Sequence, residues 1–266
     1  MQLPVFRFAR FDAAAVRHGM TGRTASLPAD GTVGYRDGLD RAVVDANRAA
    51  WSAAIGVDPS RWTCGRQVHG VGVAVIGPAA GCGADGRRVH GAGERVPATD
   101  ALVTAEPGVP LVVFCADCVP VLLHDPKRRV VAAIHAGWRG TVADVVGTAV
   151  RAMQDHFGSD PRDLIAGLGP SIGPCCYEVG DEVIDAWNGA GIDPTGKAVR
   201  RGNGRTVFDL WQANRLALIA AGVPDDQIEV AAVCTRCHAD RFFSYRARST
   251  QPGSAAAVIA LEGGEG

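Results

Sequence analysis

No run of about twenty predominantly apolar residues occurs in this 266-residue chain; the best candidate, LVVFCADCVPVLLHD at 111–125, is too short and is broken by Asp117 and Pro120. A membrane-spanning helix is therefore not expected. Charge of one sign is also missing. Lys and Arg number 27 against 28 Asp and Glu, a formal net charge of -1, so no global field gathers nucleic acid or an anionic membrane. The opening MQLPVFRFARFD mixes charges among its apolar residues and has no small-residue cleavage site, so a secretion signal is not expected and a cytoplasmic location is. There the eight cysteines read as buried small hydrophobes, ligands or nucleophiles rather than as a disulfide framework.

What remains is ordinary globular composition, 47% hydrophobic and 21% charged, read as one domain over 1–266. Apolar groups at helical spacing (Leu39, Val43, Ala46, Ala50, Ala53, Ala54) predict an amphipathic helix over 39–55, ended by Gly56 and Pro59. VGVAVI at 71–76 reads as a strand, and the Gly- and Pro-rich 77–98 as a mobile loop. LVVFC at 111–115 and VVAAI at 130–134 are short, β-branched and bounded by turn residues, which predicts strands buried on both faces. A helix over 141–157, a strand at 164–169, helices near 181–190 and 209–221, and strands at 228–234 and 255–261 follow. The Gly-rich 189–204 reads as an excursion. This alternation predicts an α/β fold with mixed or partly parallel sheets layered by helices.

Three loops carry candidate chemistry: QVHG at 67–70, ADC at 116–118 and HAGWRG at 135–140. If His69, Cys118 and His135 converge, they form a nitrogen and sulfur site for zinc. Three protein ligands leave a position open, as in catalytic zinc sites, whereas structural zinc is closed by four. A lone His is more often a surface or hydrogen-bonded core residue. Here His69 and His135 each sit near a glycine, where backbone gives way to an approaching group. Cys118 and His135 each follow a buried strand, and ligands gather beyond strand carboxyl ends in such sheets. Asp117 beside Cys118 can orient a metal-bound His, act as general base, or cap the following turn. Arg48 in DANRAAW and Arg139 in HAGWRG are candidates for holding an oxyanion such as phosphate, against the plain alternative of a surface salt bridge.

Three further signals carry less. CTRCH at 234–238 matches covalent haem attachment, but that chemistry needs export. Cys175 and Cys176 are sequence neighbours whose direct disulfide is strained, and they read as buried thiols. Two His and one Cys are also a blue-copper ligand set, yet no Met closely follows the Cys.

RQVHG, TDALVT, ADCVPVLLHDP, VAAIHAGWRGT, LGPSIGPCCYEVG, FDLWQANRLAL and CTRCHADRFFSYR, in this order over about residues 40–250, resemble the YfiH family, also called the polyphenol oxidase or laccase-domain family and the peptidoglycan editing factor family. The resemblance implies a single α/β domain and places the family's metal ligands on His69, Cys118 and His135. It also implies a zinc-dependent purine nucleoside enzyme that splits adenosine, inosine or methylthioadenosine with phosphate and deaminates adenosine, so its partners are nucleoside and phosphate. Two other activities attach to the family: a cysteine hydrolase or amidase on peptidoglycan precursors with Cys118 as nucleophile, and a copper-dependent phenol oxidase. The chain departs from the family at 26–38, where a stretch like SLNLG followed by GDD is usual, and at 246–257, where a DGGxTGR-like stretch is common. Both changes bear on the substrate or phosphate pocket, and with it on whether activity is reduced or the chain only binds.

Overall fold

The computed structural model describes residues 3–13, 15–77, 81–82, 88–91, 93–202, 204–247 and 253–263. Its strands arise where β-branched and small apolar residues run together. Five make one mixed sheet in the order β1 (Val16–Met20), β15 (Ala255–Leu261), β8 (Leu111–Cys115), β2 (Thr63–Gly65), β6 (Arg95–Val96). Eight make a second, in the order β14 (Ile228–Val230), β11 (Ile165–Leu168), β9 (Val119–Asp125), β10 (Val130–Ala136), β7 (Ala101–Thr104), β3 (Val73–Ile76), β5 (Arg88–His90), β4 (Gly81–Cys82). β12 (Val199–Gly202) and β13 (Arg205–Phe208) pair antiparallel; β12 falls in the segment read as an excursion and β13 just past it.

Alternation along β8 sorts its side chains between two layers. Val113 and Cys115 face Leu122, Val131 and Ala133 of the second sheet, while Val112 joins Ala256 and Val258 under Trp51 and Ile55 of α1 (Arg41–Ile55). The far face of the second sheet, with Val121, Leu123, Ala132 and Ile134, packs on α3 (Val145–Phe157) and α5 (Leu210–Ala220). The layers run helix, sheet, sheet, helix. Asp40 caps α1 by accepting from Ala42 N, and Gly56 ends it at φ 88, the left-handed conformation glycine adopts at little cost. α4 (Asp181–Ala190) falls where the sequence places it.

Several expectations need correction. The 141–157 helix is two, α2 (Trp138–Val142) and α3, broken at Asp144, whose φ of 62 stops the first and whose carboxylate caps the second through Gly147 N. The described parts of 77–98 include short strands, and the rest of that segment lies outside the described residues. The predicted strand at 228–234 stops at Val230. β1 and β9 are additional strands; Pro120 sits inside β9, opposite His135. No helix among the described residues is long and apolar enough to cross a membrane.

Candidate metal centre

The chain passes from the first sheet to the second three times over short links: 66–72 between β2 and β3, 97–100 between β6 and β7, and 116–118 between β8 and β9. These links carry His69, Asp100 and Cys118. β10, which neighbours both β7 and β9, ends beside them with His135. Placing one such group on each crossing brings residues far apart in sequence to one edge of the sheet pair. His135 thus lies inside β10 and not in the loop after it, a correction to the sequence reading; HAGWRG begins within the strand, which ends at Ala136, and leaves it at Gly137.

One donor atom each from His69, Cys118 and His135 lies within 4.8 Å of the others. The imidazoles meet edge to face, 4.8 Å between centroids at 80°. His135 is buried, Cys118 half-buried and His69 exposed, so the cluster opens to solvent on the His69 side. Gly137 borders it: a Cβ there would stand 2.9 Å from His69 Cδ2 and 3.0 Å from Cys118 Sγ. His69 and Asp117 both have positive φ, 61 and 93, a strain kept where surrounding bonds fix the backbone.

At His69 those bonds come from Asp100, which is 1% exposed. Its carboxylate accepts from the backbone N–H of Val68 (3.1 Å), His69 (3.0 Å) and Gly70 (2.9 Å), clamping the whole His69 turn. It also meets His135 Nδ1 at 2.9 Å, while its carbonyl accepts from His135 N at 2.7 Å. With Nδ1–H donated to Asp100, His135 presents Nε2 to the cluster, the arrangement in which a carboxylate orients a metal-binding imidazole. Burial raises the Asp100 carboxyl, but the His135 and backbone hydrogen bonds outweigh it and hold the pKa below its usual value. The same balance governs the neighbours. Burial opposes charge on both, yet Asp100 and Cys118 lift His135 to about 9, and His135 and His69 bring Cys118 down to about 7. The buried Cys115 nearby is instead pushed well up by burial.

Asp117, in the 116–118 link, is buried and bonded to the 169–178 and 233–246 loops. Its Oδ1 accepts from Thr235 Oγ1 at 2.7 Å and its Oδ2 from Arg246 N at 2.6 Å, while its carbonyl accepts from Ile172 N at 2.9 Å. Of the readings open for Asp117, orienting an imidazole belongs to Asp100. Arg139 is exposed, its guanidinium 4.3 Å from the Trp138 ring centroid. Arg48 is half-buried over Tyr35, 4.1 Å from its centroid, and donates Nε–H to Val33 O at 2.9 Å, which ties it to the divergent 26–38 stretch. Asn47 and Trp51 hold the same stretch through Pro28, Thr32 and Gly31 carbonyls. The other divergent stretch, 246–257, lies partly outside the described residues.

Residues not singled out from sequence also enter. Tyr177 is buried, its hydroxyl pushed up to about 12 by burial and by Cys118, against the opposing pull of Arg246 and Arg139. Arg246 stands 5.1 Å from the Tyr177 ring centroid and donates to Glu178 O at 3.0 Å. Asp100 and Tyr177 were visible only as letters within TDALVT and LGPSIGPCCYEVG.

The donor set fits a single borderline-soft divalent ion. Two imidazoles and a thiol of lowered pKa point together, the deeper imidazole is oriented by a buried carboxylate, and Gly137 leaves its Cβ space free beside them. A second group, Cys175, Cys176, Cys234 and Cys237, can also hold a metal. CTRCH therefore sends both thiols into a sulfur cluster, and the Cys175 side chain is exposed where a buried thiol was expected.

The family model described as multi-copper polyphenol oxidoreductase laccase matches residues 16–262. The chain belongs to this family. A family member from Geobacillus stearothermophilus, purine nucleoside phosphorylase YlmD, is 37% identical over 237 residues, covering 86% of this chain and 82% of that protein. Its crystal structure matches with a TM-score of 0.82 at 32% identity over 96% of this chain and 94% of the other. A purine nucleoside phosphorylase of Bacteroides thetaiotaomicron is 46% identical over 154 residues, 58% of this chain and 57% of that relative, so this chain spans little more than half of that relative's length. Adenosine deaminase RL5, from an unknown prokaryotic organism, is 39% identical over 209 residues, 77% of this chain and 76% of that protein.

Proposed function

We propose that the chain is a zinc-dependent enzyme of purine nucleosides, which cleaves adenosine, inosine or methylthioadenosine with phosphate and deaminates adenosine. The observation that carries this reading is the convergence of His69, Cys118 and His135 in front of Asp100. Relatives named purine nucleoside phosphorylase and adenosine deaminase support the substrate class. Zinc held by these three side chains supplies a Lewis acid that makes water more acidic and polarises a substrate atom.

The chain's own residues set the rest. Asp100 holds the Nδ1 proton of His135 and fixes the His69 turn, so both imidazoles keep one orientation through turnover. Arg139 and Arg246 act on Tyr177 and place positive charge on the Tyr177 side of the centre, where a phosphate or a developing negative charge would be held. Arg48 is the third anion holder, reached from the Tyr35 side. Tyr177, with its hydroxyl held near 12, stays protonated at neutral pH and serves as a hydrogen-bond donor. Asp117 anchors Thr235 and Arg246, and a carboxylate with two bonds made retains lone pairs to accept a substrate proton.

Zinc-replete protein incubated with adenosine, with and without phosphate, and analysed by chromatography tests this. Adenine and ribose 1-phosphate should form only with phosphate; inosine and ammonia should form from water alone. No adenine, hypoxanthine or inosine formed from adenosine discards the reading.

One observation favours a second reading. Cys118, His135 and Asp100 stand in the order nucleophile, base, orienter, with the thiol near 7, as a cysteine hydrolase or amidase needs. His69 argues for the metal, since a second imidazole on the same sulfur has no part in such a triad. Thiol alkylation that inactivates metal-free protein, together with zinc that neither protects Cys118 nor restores turnover, favours the hydrolase. Copper binds the same ligands tightly by the general affinity order, so a phenol oxidase requires copper-dependent oxygen uptake and not copper content alone.

A further inference from the structure

Outside this centre, the densest set of soft ligands among the described residues is the four-cysteine group. Cys237 Sγ stands 3.5 Å from Cys175 Sγ and 3.4 Å from Cys176 Sγ, and all four sulfurs lie within 4.8 Å of one another. A disulfide needs about 2.0 Å. A tetrahedron of thiolates at a Zn–S distance of about 2.3 Å has edges near 3.8 Å. The observed spacings lie far from the first and around the second.

Backbone amides support the sulfurs as they do in metal knuckles. Gly173 N donates to Cys234 Sγ at 3.3 Å, and within the CTRC turn Cys237 N donates to the same sulfur. Cys234 is buried and the other three grade outward, so the group is anchored in the core and closed at the surface. The two contributing loops are already aligned. Ser171 and Cys234 form a parallel bridge, with Ser171 N donating to Val233 O at 3.1 Å and Thr235 N to Ser171 O at 3.0 Å.

We propose that Cys175, Cys176, Cys234 and Cys237 form a second, closed zinc site that clamps the 169–178 loop to the 233–246 loop. Four thiolates fill a tetrahedral shell and leave no position for substrate, so this ion is structural. Its position gives it a specific load. The residue after Cys234 is Thr235, which holds Asp117 Oδ1, and Ile172 of the other loop holds the Asp117 carbonyl. The clamp thereby fixes the strained Asp117 turn, and with it Cys118, from outside the first site.

The test is zinc stoichiometry of the full-length chain purified under reducing, metal-limited conditions and then supplied with zinc, read by native mass spectrometry and elemental analysis. Wild-type protein should carry two zinc ions, Cys237→Ser and Cys175→Ser one each, and His135→Ala one. A single ion lost from His135→Ala but kept by Cys237→Ser overturns the proposal. A single ion lost from Cys237→Ser but kept by His135→Ala supports it and sinks the zinc reading of the first centre instead. Should the cysteine variants fail to fold, cobalt(II) loading of His135→Ala decides. Sulfur-to-cobalt charge-transfer bands with intense tetrahedral ligand-field bands are expected, and their absence overturns the proposal. A disulfide among the four cysteines in zinc-supplied wild-type protein, seen as the loss of two hydrogens, overturns it as well.

Discussion

The two ligand clusters among the described residues differ in what surrounds them. His69, Cys118 and His135 are mixed donors at three sheet-to-sheet links and a strand end, with a carboxylate behind one imidazole and one side exposed. Cys175, Cys176, Cys234 and Cys237 are four like donors on two loops, supported by backbone amides and closed on themselves. The first arrangement is incomplete in ligands and rigid in its supports; the second is complete in ligands and is itself the support. Chemistry needs the former, since a reacting group needs room beside an ion whose ligands cannot drift.

Removing a ligand separates the two most sharply. Cys118→Ala should lower nucleoside turnover by roughly 10³-fold, the scale of losing positioned proton transfer and charge stabilisation. The zinc of the four-cysteine group should stay. Steady-state kinetics with zinc analysis checks both, and full activity in this variant breaks the comparison.

Anion holding comes next. Arg139→Ala and Arg246→Ala should each raise the phosphate KM about 10- to 100-fold, the cost of one lost charge-assisted contact. Deamination, which uses no phosphate, should change far less. An equal fall in both reactions would mean that these arginines only shape the fold.

Asp100→Asn should weaken zinc at the first site by about 10- to 100-fold without touching the second, as loss of an outer carboxylate does elsewhere. Competition with a chromogenic chelator measures it. Gly137→Ala pushes a Cβ to 2.9 Å from His69 and 3.0 Å from Cys118, and should weaken the same site while the fold survives, read by the same competition and by circular dichroism.

The smallest effect lies in protonation. In metal-free protein Cys118 titrates at about 7 and His135 at about 9, so between these values a thiolate faces an imidazolium. Alkylation of Cys118 should rise as pH passes through about 7, while Cys115, raised by burial, stays slow. Zinc must displace the His135 proton, so its affinity should increase with pH up to about 9 and fall on acidification through 7 as the thiol is protonated too. An affinity flat across this range contradicts the pairing.

How much of this was legible in the sequence follows from how local each feature is. The helix ending at Gly56, the strands at 111–115 and 255–261 and the triad residues are announced by short patterns: periodic apolar groups, β-branched runs, a His near glycine, a Cys after a buried strand. Asp100 is not, because its partners lie 30 to 35 residues on either side and meet it only where three links cross between sheets. The four-cysteine group hides similarly, since Cys175 and Cys176 are separated from Cys237 by 62 and 61 positions. Pro120 disguised β9, and Asp144 broke a helix that apolar spacing alone runs straight through. Contact between distant loops leaves no periodic trace.

Anomalous scattering at the zinc edge, from a crystal grown without added metal, tests the central claim most directly. A strong peak within bonding distance of His69, Cys118 and His135 together is the expected result. Those three side chains turned away from one another, with no anomalous density among them, would contradict it.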